Sequence, residues 1–199
     1  DLSLKTSVVF GPEKKFFEND NASEAYEKEM RVSARLQIAQ PMRPDRNFGW
    51  MIGTDPNFNH SSFLYAIDKP PERSVTTSRV ASTESGKFNI WQPSLFGEVS
   101  VRAGDATITP GVRADMQVVE SSMVSSIDPR IRATWAVSDR STLKFGAGRH
   151  SRAPTSRQLG ESSDGNPDLG AESSYQFSGG VEQILASWLT LDVTGFYHH

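Results

Sequence analysis

The residues able to do chemistry in this chain lie far apart. Its histidines are His60, His150, His198 and His199, and no two show the His-x-x-x-His spacing that sets two imidazoles on one helical face for a metal. Cysteine is absent, which removes disulfides and thiolate metal sites. Serine is abundant, yet no Gly-x-Ser-x-Gly elbow lifts one out as a nucleophile. The acidic stretch 161–168 lacks the dense alternation of oxygen ligands that a calcium loop needs, and reads as a solvated loop. Gly146, Ala147 and Gly148 are no phosphate loop, because no helix follows them. They fit a strand packed closely on a neighbour, or a bend. Neither enzymatic activity nor a cofactor or metal is expected.

Binding is the chemistry that remains. His150, Arg157, Gln158, Asp164 and Asn166 fall in or beside the long connection 151–171, and binding residues concentrate in loops carried by a rigid scaffold. They are the candidate ligand contacts. A second set is Arg113, Asp115, Arg130 and Arg132. Arg113 and Asp115 lie two residues apart on one face of an extended segment, placed to pair with each other or with Arg130 across a sheet. These four are expected to form an ion network on a polar wall.

The elements that must position them are strands. In 106–118, Ala106, Ile108, Pro110, Val112, Ala114, Met116 and Val118 alternate with Thr107, Thr109, Gly111, Arg113, Asp115 and Gln117. Side chains of a strand point to opposite faces at period two, so this is one apolar wall and one polar wall. The same rhythm runs through 95–102, 128–136 and 189–197. Tight turns are read at 102–105, with its Gly-Asp pair, at 137–140 and at 185–187. Between these hairpins lie longer connections, a Ser-rich loop at 119–126 and the loop 151–171. Short turns at one end and long loops at the other are expected of a transmembrane β-barrel, and Trp135 and Trp188 stand where an interfacial aromatic girdle would be. Alternation by itself also allows a soluble β-sandwich, or an adhesin-like binding module, with both Trp in its core.

Upstream the signal is weaker. A strand is expected at 2–10, a loop at 11–22, and a strand at 24–40, where helical spacing competes with period-two alternation until Pro41. Short strands are expected near 48–52 and 63–67, and 74–90 gives no register. Pro110 and Gly111 inside a regular strand predict a local bend, and Pro154 a strand end. No run is apolar enough for a membrane helix, and a net charge of −3 gives no reason to expect nucleic acid. The expected fold is all-β, an antiparallel meander of about ten strands. It forms one partial domain over 1–199, less regular in 1–93 and made of three hairpins in 94–199. Both ends look cut within a longer chain.

Several segments together resemble a family. Pro93 to Glu98, Thr109 to Asp115, Asp128-Pro129-Arg130, Ser151-Arg152-Ala153-Pro154, Gly165 to Leu169 with Glu172, and Gly195-Phe196-Tyr197 look, in this order, like the barrel of TonB-dependent outer-membrane receptors. The resemblance implies a barrel of about 22 strands around a plug domain, in the outer membrane of a bacterium. It implies import of a scarce ligand (siderophore, cobalamin, metal complex or carbohydrate) with energy passed on by TonB. The implied partners are outer-membrane lipid, the plug of the same parent chain, the TonB complex and a small-molecule ligand. The plug and the last closing strands are not recognisable in this sequence.

Overall fold

The computed structural model describes residues 2–19, 23–69, 80–120, 122–155, 158, 166 and 168–199. They form one antiparallel sheet of 11 strands. In chain order these are β1 (Ser3–Asn19), β2 (Ser23–Gln40), β3 (Phe48–Thr54), β4 (Asn57–Lys69), β5 (Val80–Gln92), β6 (Ser94–Ala103), β7 (Ala106–Val119), β8 (Ser122–Ser138), β9 (Ser141–Arg152), β10 (Glu172–Ala186) and β11 (Leu189–His198).

Pairing follows chain order once two interruptions are recognised. β2 pairs with β3 through residues 36–40 and with β4 through residues 25–33, in one unbroken register. β4 pairs with β5, β3 with β6, and β7 with both β5 and β6. Thus β3 and β4 are one long strand broken at Asp55 and Pro56, and β5 and β6 are another broken at Pro93. Proline lacks the amide donor a ladder needs, so the break falls where the sequence puts it. The carbonyls still work: Ala34 N–H donates to Pro56 O at 3.0 Å, and Met116 N–H to Pro93 O at 3.0 Å. Pro110 opens a gap toward β6, between the pairs Glu98–Gly111 and Val101–Ile108, while the ladder to β8 stays continuous. The register is the same on both sides of that gap, so the expected bend involves no inserted residue.

Some boundaries differ from expectation. Residues 11–19 continue β1 instead of forming a loop, paired with β2 from Gly11–Arg31 to Asn19–Ser23. Residues 122–126 are strand, and the turn from β7 to β8 reaches Glu120 at a φ of 52°. The long connection is 153–171, since β9 ends at Arg152 just before Ala153 and Pro154. The turn at Gly104 has the φ of +59° that glycine adopts without a side-chain penalty. Bulges at Ala136/Ser138 and Ile184/Ala186 both lie next to two-residue turns, as is common at barrel rims.

The two faces are chemically distinct. Leu4, Val8, Phe10, Leu36, Ile52, Leu95, Val112, Ile131, Phe145 and Val193 share one face, and all are exposed. The buried apolar side chains Phe88, Ile90, Phe96, Val119 and Val124 lie on the other face, among the polar residues. Among the described residues no second sheet covers the apolar face, which a sandwich requires. Trp50, Trp135 and Trp188 lie at or near the end with the short connections, and Trp188 is 82% exposed.

Candidate functional site

The polar face carries its charges in linked groups, each spanning several strands. Asp55 occupies the break between β3 and β4, a place the sequence made irregular with Pro56. Its backbone is fixed to Ser94, the first residue of β6 after the matching break: Asp55 N–H donates to Ser94 O at 3.2 Å, and Ser94 Oγ donates to Asp55 O at 3.0 Å. Its carboxylate accepts from Arg35 Nε at 2.7 Å and Nη2 at 3.0 Å, and from Arg113 Nη1 at 3.0 Å. Arg113 Nε donates to the Asp115 carboxylate at 2.8 Å. Both guanidiniums also approach the Phe96 ring, 5.3 and 5.9 Å from its centroid, within cation–π range. Phe96 lies opposite Gly53 in the register, and its ring uses the space a Cβ would fill.

A second group is built on Glu98 of β6. Arg130 Nη2 donates to it at 3.4 Å and Arg132 Nη2 at 3.0 Å. Arg130 stands between two glycine partners, Gly111 of β7 and Gly148 of β9. A Cβ on Gly148 would lie 3.1 Å from Arg130 Cβ, tighter than ordinary van der Waals contact. Farther along the sheet Lys144 Nζ donates to Glu182 at 2.7 Å and Asp192 at 2.5 Å. Buried Asp128 accepts from Ser151 N–H at 3.1 Å and Oγ at 2.6 Å, tying β8 to β9 near the long connection.

Cavities open on this face. One of about 260 Å³ is lined by Asn57, Gln92, Arg113, Asp115, Gln117 and Ser151, with Ala153 and Ala171 from the two ends of the connection 153–171. Gln117 is buried, is hydrogen-bonded to Gln92, and donates to Pro154 O at 2.7 Å, holding the start of that connection against the wall. A wider one of about 520 Å³ is lined by Arg130, Arg132, His150, Ser178, Phe196 and His198. Such surfaces offer hydrogen bonds and charge to a polar ligand or a polar protein surface. Among the described residues no group of three His, Asp or Glu is gathered for a metal.

A match to the family described as TonB dependent receptor-like, beta-barrel runs over residues 8–199. The chain belongs to this family. Its members are receptors and transporters of the bacterial outer membrane, not enzymes. The solved structure of the copper transporter OprC superposes with a TM-score of 0.72 at 14% identity, over 98% of this chain and 35% of that one. The ferric citrate transporter FecA gives 0.67 at 11%, over 98% and 31%, and the ferric enterobactin receptor PfeA 0.64 at 17%, over 98% and 32%. The chain therefore spans about a third of the length of these structures. Comparison with curated proteins finds no match. In a TonB-dependent receptor barrel the exposed apolar face meets lipid and the charged face lines the lumen. The two-residue turns then lie on the periplasmic side, and 153–171 lies outside.

The lumen residues singled out in the sequence fall into two groups. Arg113 and Asp115 join Asp55, whereas Arg130 and Arg132 join Glu98. Asp55, Arg35, Glu98 and Phe96 complete these groups, and strand register was the signal that could have found them. Of the ligand-contact candidates, His150 faces the wider cavity. Gln158 and Asn166 are joined by a backbone bond of 2.7 Å, but their side-chain oxygens are engaged locally. Gln158 Oε1 accepts from Thr155 N–H at 2.9 Å, and Asn166 Oδ1 from Asp168 N–H at 3.0 Å. Arg157 and Asp164 lie outside the described residues.

Proposed function

We propose that this chain is part of the barrel wall of a receptor that captures a scarce ligand outside the cell and imports it with energy transmitted by TonB. The ligand classes open to it are siderophore, cobalamin, metal complex and carbohydrate. The observation that carries this reading is the charged, cavity-bearing lumen wall in a chain of this family. Arg130, Arg132, His150 and His198 line one cavity and suit a ligand with acidic oxygens, as in a carboxylate or a metal chelate. OprC is a copper transporter, FecA a ferric citrate transporter and PfeA a ferric enterobactin receptor, which supports a metal-containing ligand here. The groups around Asp55 and Glu98 would face the plug of the same parent protein, and the plug would in turn contact TonB. Arg113, Asp115, Arg130 and Arg132 are read as a lumen charge network, and His150, Arg157, Gln158, Asp164 and Asn166 as ligand contacts.

The test is ligand-dependent growth and direct binding with the full-length receptor in cells. His150→Ala is expected to weaken binding by about tenfold, equivalent to about 1.4 kcal/mol, while leaving receptor abundance unchanged. Loss of TonB is expected to abolish uptake without abolishing surface binding. Uptake that persists without TonB would overturn the energised-import reading.

A further inference from the structure

The lipid face ends, toward the long-connection side, in a row of cations. Lys14 lies directly opposite Lys28, Lys28 opposite Ser62, and Ser62 opposite Lys87, so the row crosses β1, β2, β4 and β5 in strict register. Residues opposite one another in antiparallel strands share a face. The row is therefore on the face of Phe10, Val32, Phe58 and Trp91, which are exposed one row beyond Pro12, Met30, His60 and Asn89. Lys14, Lys28 and Lys87 are exposed. Among the described residues none of the three ammonium groups has a carboxylate partner. His60 in the row between is bonded to Asn89 at 2.8 Å and supplies no negative charge.

The contrast with the lumen is informative. Arg31, Arg35, Arg113, Arg130, Arg132 and Lys144 each lie within 4 Å of a carboxylate. Like charges directly opposite across a ladder are destabilising, and an anion seated beside Lys14 and Lys28 would relieve that repulsion. Strands are spaced about 4.8 Å apart, so Lys28 and Lys87 stand roughly 10 Å apart with the hydroxyl of Ser62 between. That geometry admits two anionic groups on one headgroup, beside an apolar band that would take its acyl chains.

We propose that Lys14, Lys28 and Lys87, with Ser62, form a binding site on the outer wall for a phosphate-bearing lipid headgroup of the outer leaflet. Basic clusters bordering a membrane-embedded surface attract anionic lipid, each residue contributing about fivefold in affinity. The site holds a lipid in place on one arc of the barrel; it is separate from the lumen and from ligand import.

The experiment uses the full-length receptor in detergent, with native mass spectrometry counting retained lipid. The probes are a glycolipid carrying two phosphates, the same glycolipid with its phosphates removed, and inorganic phosphate. The wild type is expected to retain the phosphorylated glycolipid, to release it at high salt, and to discriminate against the dephosphorylated form. Lys14→Gln with Lys28→Gln and Lys87→Gln is expected to lower retention by about a hundredfold. Lys5→Gln, on the lumen side, is expected to leave lipid retention unchanged. Equal retention by the triple variant, equal binding of the dephosphorylated lipid, or full competition by inorganic phosphate at lipid-equivalent concentration would each overturn the proposal. Heat-modifiable migration confirms folding of each variant. Should the triple variant not fold, Lys28→Gln and Lys87→Gln are read singly, each expected to cost about fivefold.

Discussion

At the scale of single residues, Asp55 is the hub of the lumen wall. One carboxylate holds two guanidiniums from strands that are not neighbours, Arg35 of β2 and Arg113 of β7. Removing it takes this carboxylate from Arg35 and leaves Arg113 with Asp115. Asp55→Ala is expected to destabilise the folded receptor by about 1.5–3 kcal/mol, the range for hydrogen bonds to charged groups. The urea midpoint of the detergent-folded receptor reads that loss, and Asp55→Asn should recover part of it. Gly53 makes a second, independent case. A Cβ there would meet the Phe96 ring and would come within 2.7 Å of the Leu36 carbonyl oxygen, which cannot yield. Gly53→Ala is expected to cost about 1–3 kcal/mol by overpacking. Gly179→Ala, with nothing within 4 Å, is the control and should fall within about 0.5 kcal/mol of wild type by the same measurement.

At the scale of elements, the hairpins of 94–199 were legible because their alternation is clean, apart from the start of β8; in 1–93 the strands at 2–10, 24–40, 48–52 and 63–67 were placed, while 11–19 and 80–92 were not. β8 begins at Ser122, but Val124 points into the lumen with Phe88, Ile90 and Val119 while Ser125 shares the lipid face. That local inversion made a strand look like a Ser-rich loop. β1 runs past Gly11 on its ladder with β2, but its outward positions turn from apolar to Pro12 and Lys14, so the segment read as a loop. The lumen charges were visible as a polar wall, yet their partners were not. Glu98 meets Arg130 two strands away, a relation only the register reveals. The face assignment itself is testable on β7 and β8. Val112, exposed on the lipid face, should not tolerate Arg, with an expected cost of about 2–4 kcal/mol near the midplane. Thr134→Arg, at an exposed lumen position, should be nearly silent. Heat-modifiable migration of the two full-length variants separates them: loss of the folded band for Val112→Arg alone is the expected result.

At the scale of the whole molecule, what decides behaviour is the sheet's two free edges. Among the described residues β1 pairs only with β2, and β11 only with β10, so each presents a row of unpaired backbone groups along its other side. Within lipid each unsatisfied N–H or C=O costs several kcal/mol, because no water is there to replace the lost partner. A row of such groups along a whole strand outweighs the marginal stability typical of a folded domain, about 5–15 kcal/mol. The lumen side adds to the difficulty. Its charge groups pair among themselves, yet the buried Arg130 Nε has no hydrogen-bond partner, and the cavities are open to whatever the opposite wall would contribute. The 199-residue chain on its own is therefore expected not to give a heat-modifiable, protease-resistant barrel in detergent or vesicles. The full-length receptor is expected to give one under the same conditions. Electrophoresis before and after boiling, with and without prior trypsin, makes the comparison. A resistant species from the isolated chain would mean that β1 and β11 find partners, either each other or those of a second copy. Its mass by light scattering would tell those two closures apart.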